Sequence, residues 1–130
     1  MIPLIALAAG AAALLAPQAL TPLRERLDPT DLPGAQHFVR VGQYTLHYTD
    51  EGPADGPVAL LIHGFAAWAF AWRAQRAALT EAGWRVITID LLGYGASSRP
   101  AAAVYSTHDQ AEAILAALDA LGIESVDLIG

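Results

Sequence analysis

The 130-residue chain contains no cysteine. This excludes a disulfide framework, a thiolate metal site and a cysteine nucleophile. Lysine is also missing, so all seven basic residues are arginines, against 13 Asp and Glu. A net charge of −6 without an arginine cluster argues against binding of nucleic acid, because phosphates require a basic surface.

Charge of either sign is scarce. Charged residues make up 15% of the chain, below the roughly 25% of ordinary globular domains, whereas 55% of the residues are hydrophobic. A chain this apolar cannot be a disordered one, and it has no glycine period of the collagen kind. The composition therefore indicates a globular enzyme or binding domain, or a piece of one.

Part of the hydrophobic excess lies in residues 1–23, where positions 2–23 carry no charged side chain. As a helix this apolar leader is nearly long enough to cross a bilayer, so an uncleaved membrane anchor is one interpretation. A secretory signal and an alanine-rich helix packed on the domain or a partner are the others. We accordingly expect membrane association through residues 2–23, or a secreted or periplasmic protein if the leader is cleaved. The side of the membrane stays open.

Residues 24–36 form a predicted linker, since they lack an apolar period and contain Pro29, Pro33 and Gly34. The folded domain is therefore expected to cover residues 37–130.

Within that domain, apolar periodicity predicts an alternation of strands and helices. An antiparallel strand pair is expected at 37–41 and 44–50, and buried strands at 58–62, 85–89 and 125–129. Helices are expected at 68–82 and 107–121, the second with Thr107 as its N-cap and Gln110 completing a capping box. The aromatic residues Trp68, Phe70 and Trp72 are expected to belong mostly to the core.

This order predicts an α/β fold, with a mostly parallel sheet, helices on both faces and an opening antiparallel strand pair. In such sheets, chemistry gathers at the carboxyl ends of the strands. His63, Gly64 and Phe65, then Asp90, and finally Gly130 stand at three of these ends.

Four segments in order resemble the amino-terminal part of an α/β-hydrolase-fold enzyme. They are Leu-Leu-Ile-His-Gly-Phe at 60–65, Trp72-Arg73, Asp-Leu-Leu-Gly-Tyr-Gly-Ala-Ser at 90–97, and Val-Asp-Leu-Ile-Gly at 126–130. The last resembles the approach to the family's nucleophile elbow, in which the nucleophile would lie two places after Gly130. The resemblance thus implies an incomplete fold without its nucleophile, acid or catalytic histidine, and we expect a truncated chain that is inactive alone.

For the parent protein the resemblance implies a hydrolase that acts on a small-molecule substrate. A Ser–His–acid enzyme acting on ester, lactone or carbon–carbon bonds of small apolar substrates is the first expectation. An epoxide hydrolase or haloalkane dehalogenase with an Asp nucleophile is the alternative, and a non-catalytic, membrane-tethered fragment is another. No cofactor or metal is implied, and the oligomeric state stays open.

The resemblance also implies roles for particular residues. The backbone N–H of Phe65 is expected to be an oxyanion-hole donor. Substrate contacts are expected at Gly64, Phe65 and Trp68, with Gly64 allowing a close turn. Ala66 stands where relatives often carry Gly or Pro. His37 and His47 show no metal-ligand spacing with a carboxylate. Structural support is expected from His63, Asp90, Gly93, Gly95, Ser97 and Gly130.

Overall fold

The computed structural model of the protein describes residues 37–101 and 105–130. The predicted leader (1–23) and linker (24–36) lie outside these residues and stay predictions. No helix of the described part has the length and apolar character needed to cross a membrane.

The domain opens with the antiparallel hairpin that alternating residues predicted. Strand β1 (His37–Val41) pairs with strand β2 (Tyr44–Glu51) from His37 opposite Tyr48 to Val41 opposite Tyr44. Gly42 in the two-residue turn has a φ of +58°, which the tight connection requires.

The aliphatic segments form the centre of one open, five-stranded mixed sheet with the order β1-β2-β4-β3-β5. Strand β4 (Arg85–Ile89) pairs in parallel with β3 (Val58–Ile62) and antiparallel with β2. Strand β5 (Asp127–Ile129) extends the sheet in parallel beside β3 and is two residues shorter than predicted. The predicted fold class is therefore confirmed.

Helices cover both faces of this sheet. The first helical region starts as a 3₁₀ helix (Ala69–Trp72) and continues as helix α1 (Arg73–Glu81); helix α2 covers Thr107–Ala120. Successive strand residues point to opposite faces. One core cluster joins Leu60 and Ile87 to Ala117 and Leu118 of α2. The other joins Ala59, Leu61 and Val86 to Trp72, Leu79 and Trp84.

The predicted cap of α2 is wrong by one residue. Ser106, not Thr107, is the N-cap, and its side chain accepts a hydrogen bond from the Asp109 N–H at 3.1 Å. The Asp109 carboxylate accepts from the Ser106 N–H in return, so the capping box consists of these two residues. Hydrogen bonds from the side chain and backbone of Ser106 lower the pKa of Asp109.

Replacing the N-cap should therefore destabilise the domain, whereas replacing its neighbour should not. We expect Ser106→Ala to lower the free energy of unfolding by about 1 kcal/mol, because the first turn of α2 loses a hydrogen-bond acceptor. Thr107→Ala, the matched control, should change it by less than about 0.5 kcal/mol. Urea unfolding followed by circular dichroism measures both, and a larger loss for Thr107→Ala would contradict the assignment.

Candidate functional site

Asp90 is the buried centre of the site, at the carboxyl end of β4, and none of its surface is exposed. Its Oδ1 accepts a hydrogen bond from the Ala69 N–H at 2.7 Å. Its Oδ2 accepts from the Ala96 N–H at 2.9 Å and contacts His47 Nδ1 at 2.8 Å. One carboxylate thus joins β2, the start of the 3₁₀ helix and the loop that follows β4.

The same contacts determine the charge state of Asp90. Burial by itself raises the pKa of this carboxyl, because a charge is disfavoured away from water. The hydrogen bonds from His47, Ala69 and Ala96 outweigh burial, and the pKa of Asp90 lies below its ordinary value of 3.8. Asp90 is therefore an ionised hydrogen-bond acceptor at neutral pH.

The loop after β4, residues 90–98, is shaped to wrap around this carboxylate. Gly95 has a φ of +49°, and a Cβ there would lie 1.8 Å from Asp90 Oδ2. Gly93 has a φ of +87°, and its Cβ would lie 3.0 Å from the Tyr105 ring. Only glycine fits at position 95, since a side chain there would occupy the space of the Asp90 carboxylate.

Two serines fasten the loop to β2. The Ser97 hydroxyl donates to the Asp90 carbonyl at 2.5 Å and accepts from the His47 N–H at 2.9 Å. The Ser98 hydroxyl accepts from the Thr45 N–H at 2.9 Å. Both hydroxyls are thus engaged with backbone.

His63, at the end of β3, holds the other side of the loop. Its Nε2 accepts a hydrogen bond from the Leu91 N–H at 3.0 Å, and its Nδ1 donates to the Gly64 carbonyl at 2.9 Å. The Tyr94 ring meets the His63 ring edge-on at 5.3 Å. Segment 63–69, called the oxyanion turn below, is therefore held by the loop at both ends, through His63 and through Ala69.

Phe65 is the third residue of the oxyanion turn, and the residue is 93% exposed. Its backbone N–H has no hydrogen-bond partner among the described residues. A turn does start at Gly64, whose carbonyl accepts from the Ala67 N–H at 3.3 Å. The turn does not require glycine at this position, because a Cβ on Gly64 would meet nothing within 4 Å. The left-handed conformation falls instead on Ala66, whose φ is +58°.

The aromatic residues after the turn are less buried than predicted. Trp68 is 44% exposed and Phe70 41%, and their rings stack at 6.3 Å, so these two do not belong to the core. Of the three aromatics, Trp72 does pack on the core. Gly130 follows β5 beside the end of β3, where a Cβ on it would lie 3.7 Å from the Ile62 carbonyl oxygen. The predicted strand ends thus come together.

Sequence reasoning missed two residues that build the site. His47 bonds to the Asp90 carboxylate, a contact that the sequence analysis did not predict, because the antiparallel register of β2 and β4 brings the two residues side by side. Gln110 does not cap α2: its amide group accepts from the Leu92 N–H at 3.0 Å and donates to the Leu92 carbonyl at 2.9 Å. No local signal in the sequence could have suggested the first pairing, since it depends on which strand lies beside β2.

Chemically, the arrangement offers a backbone donor, the Phe65 N–H, that bonds to no described residue and lies on a turn held at both ends. A preorganised N–H of this kind can stabilise an oxyanion that develops during acyl transfer. In the described part of the chain, no serine hydroxyl is bonded to a histidine ring, since Ser97 and Ser98 bond to backbone. Nor do three potential metal ligands cluster anywhere in that part.

Comparison with known proteins agrees with this geometry. A model of the alpha/beta hydrolase fold family matches residues 57–130, more than half of the chain. The matched region contains the oxyanion turn and the loop around Asp90.

Individual relatives cover several activities. The chain is 41% identical over 73 residues to a haloalkane dehalogenase of Mycobacterium marinum, covering 52% of this chain and 25% of that protein. It is 38% identical over 96 residues to an epoxide hydrolase of Caballeronia sordidicola, covering 73% and 29%. The crystal structure of a membrane phospholipase A is similar with a TM-score of 0.70 and 33% identity, covering 96% and 40%. The chain thus spans about a quarter to two fifths of these proteins.

Because Ala66 has a left-handed conformation, replacing it with glycine should stabilise the domain. We expect Ala66→Gly to raise the free energy of unfolding by about 0.5–1 kcal/mol, because it removes the clash of Cβ with the backbone. Ala67→Gly is the matched control and should lower it by about the same amount, since φ is not positive there. Denaturant unfolding measures both changes; a loss of stability in Ala66→Gly would contradict the geometry.

The lowered pKa of Asp90 should be visible in the pH dependence of stability. The unfolded chain binds the Asp90 proton more readily, so this contribution is present above the unfolded pKa and is lost as the pH falls through the lower, folded pKa. Asp90→Asn should cost about 3 kcal/mol near neutral pH. Its deficit against the wild type should shrink as the pH falls below about 4. Denaturant unfolding at each pH measures this difference in the free energy of unfolding. A difference that stays constant from neutral pH to about pH 3 would contradict the prediction.

Proposed function

Because the chain belongs to the alpha/beta hydrolase fold family, we propose that it forms the oxyanion-turn part of a hydrolase active site. The main support for this proposal is the Phe65 N–H, which has no hydrogen-bond partner among the described residues. It lies on a turn that is hydrogen-bonded at both ends. This donor would bind an oxygen that becomes negatively charged during the reaction.

The epoxide hydrolase and haloalkane dehalogenase among the relatives favour the carboxylate-nucleophile alternative over a serine-type enzyme. In that chemistry, a carboxylate attacks a carbon of the epoxide or haloalkane. In the epoxide the C–O bond breaks and the oxygen takes up a proton while staying on the neighbouring carbon, whereas in the haloalkane the carbon–halogen bond breaks and the halide leaves. The product of this step is an ester of the enzyme. Water then loses a proton to a base and attacks the ester carbonyl. The oxyanion that forms collapses to the enzyme carboxylate, and the diol or alcohol leaves with a proton. The Phe65 N–H would act in this second step.

A serine-type hydrolase of carboxylic esters is the second candidate, and the similarity to the membrane phospholipase A supports it. The same backbone donor serves both mechanisms, because both pass through a tetrahedral intermediate at an ester carbonyl. The nature of the nucleophile, rather than the oxyanion turn, distinguishes them.

Under either mechanism, the nucleophile, acid and base belong to residues that follow Gly130 in the native protein. The proposal rests on the fraction of the relatives that the chain spans and on the serine hydroxyls, which are engaged with backbone. We therefore propose that residues 1–130 alone do not catalyse hydrolysis.

The native protein that carries this chain should be assayed with styrene oxide, 1-bromobutane and 4-nitrophenyl acetate. We expect kcat/KM to be highest for the epoxide or the haloalkane. Phe65→Pro removes the N–H and should lower kcat by about 10²–10³. Phe65→Ala keeps the N–H and should change kcat by much less.

A single turnover in H₂¹⁸O separates the two mechanisms. With a carboxylate nucleophile, the label enters the enzyme and the first product is unlabelled, because water attacks the ester carbonyl. Exclusive turnover of the nitrophenyl ester, with label in the released acid, would support the serine-type alternative. Equal kcat in Phe65→Pro and Phe65→Ala would contradict the role of the Phe65 N–H.

A further inference from the structure

His47 is a buried polar residue whose side chain makes one hydrogen bond within the described part of the chain, to Asp90. It is 2% exposed within β2, and its Nδ1 lies 2.8 Å from Asp90 Oδ2. Its other ring nitrogen, Nε2, is buried without a hydrogen-bond partner among the described residues. A side chain that only filled this space would be apolar, because an unpartnered buried nitrogen costs stability.

The contact with Asp90 determines that Nδ1 of His47 carries a hydrogen. The Asp90 carboxylate is ionised and can only accept, so Nδ1 carries the hydrogen that lies between them. Oδ2 receives two donors, Nδ1–H and the Ala96 N–H, whereas Oδ1 receives the Ala69 N–H. His47 therefore limits rotation of the carboxylate about its Cβ–Cγ bond.

The orientation of the carboxylate bears on the oxyanion turn. Ala69, which Oδ1 holds at 2.7 Å, is the last residue of the turn and lies four positions after Phe65. The turn begins at His63, which the same loop holds through the Leu91 N–H. A rotated carboxylate would release Ala69 and leave the Phe65 N–H fixed from one end only.

We propose that His47 is a positioning residue for the reaction, which acts through Asp90 and Ala69 to hold the Phe65 N–H in the orientation that stabilises the oxyanion. The proposal rests on the function proposed above. Among the described residues, no hydrogen bond joins His47 to the turn directly. Its effect belongs to the transition state and the intermediate that follows it, because the negative charge develops on the oxygen there and not in the bound substrate.

Two substitutions in the native protein test this role. His47→Leu removes the donor to Asp90, and we expect kcat to fall about tenfold or more with KM changed less than about threefold. His47→Asn places an amide N–H where Nδ1–H lies, so it should recover most of kcat. Hydrogen exchange at the Ala69 and Ala96 amides should accelerate by about tenfold or more in His47→Leu and much less in His47→Asn.

Thr49→Val is the matched control. The Thr49 hydroxyl is buried on the same strand, two residues after His47. It bonds to the Thr88 hydroxyl at 2.6 Å across β2 and β4 and not to Asp90. Removing it destabilises the same part of the sheet without reaching the oxyanion turn. We expect kcat within about twofold of the wild type.

Equal losses of kcat in His47→Leu and Thr49→Val would overturn the proposal, because a general loss of stability would then explain both. Unchanged exchange at Ala69 in His47→Leu would overturn it as well. If the native protein hydrolyses none of the three substrates, the proposed function fails. The exchange rates still decide whether His47 holds Ala69 through Asp90.

Discussion

A carboxylate removed from water must have its charge met by hydrogen-bond donors, and this requirement organises the carboxyl end of the sheet. Asp90 is fully buried, and its donors come from three separate segments, at His47, Ala69 and Ala96. Removing one donor would leave charge uncompensated in a region of low dielectric constant. The three segments are therefore stabilised together rather than one by one.

The composition of the loop after β4 follows from the same constraint. Gly95 leaves the space that the carboxylate occupies, and Ala96 supplies the N–H that points at it. Ser97 satisfies both the Asp90 carbonyl and the His47 N–H with one hydroxyl. One short loop thus satisfies the Asp90 carbonyl, the His47 N–H and part of the need of the Asp90 carboxylate for donors.

The elements themselves could be predicted from the sequence, because their signals are local. Strand β3 is an uninterrupted aliphatic run, and the hairpin alternates around Gly42. The contact of His47 with Asp90 could not be predicted, since it joins residues 43 positions apart and depends on which strand lies beside β2. The sequence pattern also could not decide between Ser106 and Thr107 as the N-cap of α2, because adjacent hydroxyl residues fit the cap almost equally well.

Ala66 illustrates how a fixed surrounding preserves a locally unfavourable conformation. Alone, a peptide with alanine at a φ of +58° would relax, since the left-handed region costs an L-residue about 1–2 kcal/mol. Here His63 is bonded to the Leu91 N–H and Ala69 to the Asp90 carboxylate, so the chain between them cannot relax without breaking one of these bonds. The turn therefore retains its strain, and with it the outward position of Phe65. The orientation of the exposed Phe65 is thus determined by the buried hydrogen bonds at the two ends of the turn.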